Sequence, residues 1–191
     1  MQIRALAATL AVALVPQLAS AQATAAAAPA DTTMHAVANP VATAFRDDAA
    51  KWAKNLVAAA EDMPEDRYGF KPTAAQMTFR DIVNHLSQGN DFLCGKIGGM
   101  AAPTRAKVAD KAKKAELVAR LKETFAFCDQ ALANLDDSKL GEQMTLFGPK
   151  MYTRAATMTI TTGDWADHYS QTAIYMRING LVPPTAKKKT M

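Results

Sequence analysis

From residue 40 onward the apolar positions return every three or four residues, the period of an α-helix with one buried face. Val41, Phe45, Trp52, Leu56, Ala60 and Met63 mark a first helix. It opens at Asn39-Pro40, where Asn suits the N-cap and Pro is tolerated because that amide has no helical partner. Pro64 ends it. Residues 65–77 contain Gly69 and Pro72 and read as an ordered loop, with Tyr68 and Phe70 placed to plug the end of a bundle. A second helix starts near Thr78, with Asp81 three residues on, and carries Phe79, Ile82, Leu86 and Leu93 on its apolar face until Gly98-Gly99. The cleanest periodicity, from Leu117 through Leu121, Phe125, Cys128 and Leu132 to Leu135, predicts a third helix over about 113–135. Residues 139–152 form a connection with room for extended character. A fourth helix then covers about 154–179. No alternating pattern of strand length competes with these four, so the fold class is all-α, a four-helix bundle with antiparallel or mixed directions. The long connections before the third and fourth helices allow consecutive helices to run parallel.

The fourth helix departs from a plain core pattern. Asp164, His168, Gln171 and Tyr175 are spaced i, i+4, i+7, i+11 and form one polar stripe. The helix ends at Asn179-Gly180, with Gly suited to a left-handed cap and Pro183-Pro184 blocking continuation. On the second helix His85 lies at the edge of the apolar face, between Ile82 and Leu86 in angle.

The N-terminus changes the domain picture. Arg4, an apolar run from Ala5 to Val15 and then Ala19-Ser20-Ala21 have the layout of a secretory signal peptide, cleaved after Ala21. The run is shorter than a membrane span needs. The expected organisation is a signal peptide over 1–21, an Ala/Thr-rich leader over 22–38, the bundle over 39–184 and a basic tail over 185–191 that includes Lys187-Lys188-Lys189. The expected location is therefore periplasmic or secreted, with no membrane association after cleavage. Cleavage removes one Arg and no acid from a chain of net charge +4. So mild a balance in an exported protein excludes nucleic acid as an expected partner. In such a protein the two cysteines, Cys94 and Cys128, read either as a disulfide or as two buried thiols.

Outside the leader, which holds His35, only His85 and His168 remain. Inward side chains from facing helices can converge on one ion. His85, His168 and Asp164 would offer two imidazoles and a carboxylate, a set suited to Zn, Ni, Fe or Mn that leaves coordination positions open. The alternative is a pair of hydrogen-bonded histidines that bind no metal. Gln88 and Gln171, each three residues after a His, are candidates to orient the imidazoles, and Tyr175 to face a substrate. Other catalytic signatures are absent from the sequence. Ser170 points about 200° from His168, and Cys94 lies about 180° round the helix from His85 and about 13 Å along it.

These residues resemble a known family. His168-Tyr169-Ser170-Gln171, followed by Tyr175-Met176-Arg177-Ile178-Asn179-Gly180-Leu181-Val182-Pro183-Pro184, is similar to the last-helix signature of the DinB-like superfamily. Tyr68-Gly69-Phe70-Lys71-Pro72 and Phe79-Arg80-Asp81-Ile82-Val83-Asn84-His85-Leu86 match its loop and its His-bearing second helix. Cys94 and Phe127-Cys128-Asp129 resemble its exported members. The resemblance covers about residues 40–184. It implies an up-down-down-up bundle and a three-His metal site in many members. His85 matches the His of the second helix and His168 the second His of the last helix. The first His of that pair falls at Asp164, where the chain departs from the pattern. Ser170 likewise replaces a Gly.

With the second and third helices parallel, as the family topology implies, Cys94 and Cys128 lie toward one end and a disulfide between them is feasible. Characterised relatives include thiol-S-transferases and a maleylpyruvate isomerase, and many others are presumed hydrolases. Two functions follow as expectations. One is a metal-dependent enzyme of hydrolase or transferase type acting on a small molecule; the other is a non-catalytic binding or stress-related bundle with a degenerate metal site. A homodimer is the expected assembly if the chain associates with itself.

Overall fold

The computed structural model describes residues 37–109 and 111–188. The signal peptide and nearly all of the leader lie outside the described residues, as do the last three residues of the tail. Four helices carry the fold: α1 over Pro40–Asp62, α2 over Phe79–Gly98, α3 over Lys114–Leu132 and α4 over Arg154–Ile178. Short 3-10 turns cover Glu65–Arg67, Asp137–Lys139 and Pro184–Ala186.

The directions of the helices follow from which residues meet. Asn90 bonds Thr124, and Cys94 is bridged to Cys128, a constant offset that makes α2 and α3 parallel. Phe45 stacks on Trp165 and Trp52 packs on Tyr169, so α1 and α4 are parallel. His85 meets His168 while Asn90 meets Trp165, so α2 and α4 are antiparallel. The result is up-down-down-up, as expected. Trp165 sits at the centre, 1% exposed, between Phe45 and Phe125. Gly98 allows a tight approach of α2 to α3, because a Cβ there would overlap the Ala131 carbonyl.

The helix ends combine local and long-range chemistry. At α2, Thr78 and Asp81 form a reciprocal capping box, and Gly99 closes the helix at φ 70°. Gly180, at φ 74°, closes α4, where Leu181 N–H donates to the Met176 carbonyl. The cap of α1 differs from expectation. Asn39 takes a left-handed conformation and makes no side-chain cap bond to its own helix. The Asp137 carboxylate instead accepts from Val41 N–H at 3.0 Å and Ala42 N–H at 2.8 Å, and Asn39 Oδ1 accepts from Asp137 N–H. An anion from a distant turn thus occupies the positive end of α1.

Tyr68 and Phe70 do plug the bundle end. Tyr68 is fully buried, donates to the Ala60 carbonyl and packs edge-on against Phe79. Phe70 packs against Tyr175. The connection before α4 holds a small antiparallel hairpin, β1 over Gln143–Thr145 and β2 over Met151–Thr153, with Met144 opposite Tyr152. Arg154 pins its base, reaching the Glu142 carboxylate and the Lys139 carbonyl. The Cys94–Cys128 disulfide is present and buried, with Cα atoms 5.1 Å apart.

Candidate metal centre

Helical spacing places Asp164 and His168 one turn apart on α4, and the antiparallel α2 brings His85 to the same level. Asp164 Oδ1 lies 3.4 Å from His168 Nε2 and 3.7 Å from His85 Nε2. The two imidazoles meet edge to face at 4.8 Å between ring centres. Candidate donor atoms of all three residues lie within 4.8 Å of one another.

The three side chains differ in exposure. His168 is buried, Asp164 is half-buried, and the His85 side chain is 48% exposed. The group therefore opens on the His85 side, which is more solvent-facing than its place at the edge of the apolar face implied. Burial alone would raise the Asp164 carboxyl, but the facing imidazoles, His168 first and then His85, outweigh it and hold Asp164 well below the usual carboxylate range. The Asp164 carboxylate in turn raises His85 above its ordinary value, against the lowering effect of partial burial.

Two imidazole nitrogens and a carboxylate oxygen are a donor set for a divalent transition metal. An ion bonded at about 2.0–2.2 Å holds its donors roughly 3–4 Å apart. The two separations through Asp164 fall in that range, so the residues fit such an ion. One feature is less favourable: His168 Nδ1 is buried and has no hydrogen-bond partner. A ligating His ordinarily donates from its second nitrogen to a carbonyl or carboxylate.

The other predicted residues separate into one that joins the site and two that do not. Gln88 is exposed and lines the same cavity as His85 and Asp164. Gln171 instead donates to the Asp167 carboxylate at 2.7 Å. The Tyr175 hydroxyl donates to the Met77 carbonyl at 3.0 Å, where it packs the bundle end. Both lie on the stripe in angle, but Tyr175 is seven residues beyond His168, about 10 Å along the axis. Trp165, next to Asp164, is a core residue whose Nε1–H donates to Asn90 Oδ1 at 2.7 Å.

The structure adds residues that the polar pattern did not single out. A cavity of about 290 Å³ adjoins His85 and Asp164 and is walled by Gly89, Phe92, Leu93, Phe147 and Ile160. Their signal was the helical period itself. Gly89 and Phe92 follow His85 by four and seven residues, and Ile160 precedes Asp164 by four.

A helical bundle with two imidazoles and a carboxylate gathered between antiparallel helices defines the class to which this chain conforms. The family model of the DinB superfamily matches residues 49–172, and the chain belongs to that superfamily. Its structure is similar to the crystal structure of a DinB-like protein, YjoA, from Bacillus subtilis. The TM-score is 0.61 at 19% sequence identity, over 77% of this chain and 99% of that one, a likeness of fold. No protein with a curated description matches the sequence.

Proposed function

We propose that this protein is an exported, divalent-metal-dependent enzyme of hydrolase or transferase type acting on a small molecule, with His85, His168 and Asp164 holding the ion. The observation that carries this reading is the convergence of three donors beside a cavity, with an open side at His85. When bound, Zn²⁺ or a similar ion would polarise a substrate oxygen or thiol, or bring the pKa of a bound water to about 7. The protein's own part is to hold His168 rigidly in the core, to keep Asp164 ionised, and to leave His85 free to adjust at the surface. Asp164 in place of a third His keeps one negative charge in the group, which favours a doubly charged cation.

The partnerless Nδ1 of His168 favours a second reading, a non-catalytic binding bundle whose metal site is degenerate. Elemental analysis of untagged protein purified without chelator separates the two. The first reading expects about one equivalent of metal, lost in folded His85→Ala and His168→Ala variants. Absence of metal, with no rise in melting temperature on adding Zn²⁺, Ni²⁺ or Mn²⁺, supports the second. Export is tested by the N-terminus of the mature protein from a periplasmic fraction, expected at Gln22.

A further inference from the structure

The cavity beside the metal donors has a composition that points to one kind of ligand. Gly89 forms part of its floor, and a Cβ there would meet nothing closer than Asp164 Oδ2 at 3.8 Å, so the space is open down to the backbone of α2. Phe92 and Leu93 on α2 and Ile160 on α4 supply apolar walls. The far wall is Phe147, at the turn of the β1–β2 hairpin, whose ring lies 5.6 Å from that of Phe92 and is 62% exposed. Gly148, at φ 72°, makes the turn that carries Phe147 out to this position. Arg154 ties the hairpin to the bundle at its base, while Phe147 at the tip touches Phe92.

Among the described residues no Lys or Arg lines the cavity, and the formal charges there are those of the metal-donor group. A phosphate ester or other polyanion would find no counter-charge on these walls. The volume is at the low end for small-molecule sites, which suits a single ring or short branched chain. A large aromatic side chain left mostly in water at a pocket mouth gains most when a ligand covers its face.

We infer that this cavity takes the aryl or branched-alkyl group of a small, uncharged substrate, packed against the touching rings of Phe92 and Phe147, with the substrate's reactive polar end toward His85 and Asp164. Phe147 is then a specificity-determining residue carried on a hairpin rather than on the bundle. The placement of the polar end rests on the metal-enzyme reading; the apolar site does not.

The test keeps the two apart. Fluorine NMR of 4-fluorobenzyl alcohol is recorded against metal-free full-length protein, with monofluorophosphate as the charged comparison. The aryl probe should broaden and shift with protein, and the phosphate probe should not. Phe147→Ala, a surface change that leaves the fold intact, should weaken the aryl probe about tenfold, the loss expected for one aromatic wall. Gly89→Leu, which fills the floor, should abolish its binding. An unaffected aryl signal in wild type, equal binding in all three proteins, or preference for the phosphate would each overturn the inference. Metal content is measured separately on the same preparations. Protein that takes up no metal yet binds the aryl probe through Phe147 sinks the enzymatic reading and leaves the apolar site standing.

Discussion

Asn90 is the test of how the core positions the site. Its side chain is 1% exposed and joins three helices: its amide donates to Thr124 Oγ1 on α3 at 3.2 Å, and its carbonyl accepts from Trp165 Nε1 on α4 at 2.7 Å. Asn90→Ala removes both bonds, each worth about 1 kcal/mol net. It leaves the Trp165 N–H buried without a partner, a further cost of about 1–3 kcal/mol. The Thr124 hydroxyl keeps a bond to the Leu121 carbonyl and adds little. The expected loss is therefore about 3–5 kcal/mol, or a fall in Tm of roughly 6–20 °C for a domain of this size. Urea titration of wild type, Asn90→Ala, Trp165→Phe and the double variant measures it, and the coupling between the two sites should reach about 1–2 kcal/mol. A loss below about 0.5 kcal/mol, or additive single changes, would refute the view that this amide ties α4 to α2 beside Asp164.

Other consequences can be checked independently. Replacing Cys94 and Cys128 together by Ala frees a loop closed across a sequence separation of 34, which should cost about 4 kcal/mol in thermal or urea unfolding; a loss under about 1 kcal/mol would contradict it. Gly98→Ala should destabilise by about 1–3 kcal/mol, because the new Cβ meets the Ala131 backbone, whereas Gly89→Ala should be neutral or gain up to about 1 kcal/mol; equal stabilities would be contrary. In metal-free protein the Asp164–His85 interaction has a defined pH window. Asp164 is lowered, so its contribution is present above 3.8 and fades as pH falls through its folded value. His85 is raised, so its contribution is full below 6.5 and is lost as pH rises through its folded value. The stability gap between wild type and Asp164→Asn should thus be widest near pH 5 and shrink above neutrality; a gap that grows from pH 5 to 8 would be inconsistent.

The bundle was legible because its signals are local and repeated: apolar residues at helical spacing, the Thr78 and Asp81 box, and Gly99 and Gly180 at the stops. His85, His168 and Asp164 were legible because spacing fixes angle on a helix. Depth along the axis is not fixed by angle, which is why Tyr175 fell on the right stripe at the wrong level, while Gln171 is drawn aside by its bond to Asp167. Asp137 capping α1 was hidden, since the two segments are far apart in sequence and only the folded bundle joins them. Strands of three residues are too short to show alternation, so the sequence offered extended character over 139–152 but neither the hairpin pairing nor the place of Phe147 at its tip. Asn90, which the apolar periodicity did not single out, is the hydrogen-bonded joint beneath the site.

The central claim is that Asp164 completes a metal site with His85 and His168. Chelator-competition titration of Zn²⁺ into wild type and Asp164→Ala, with folding checked by circular dichroism, measures this directly. One tight site is expected in wild type, weakened in the variant by more than the roughly 10–100-fold that loss of an outer-shell partner costs. Equal affinity in the two proteins, or no binding in wild type, would contradict it.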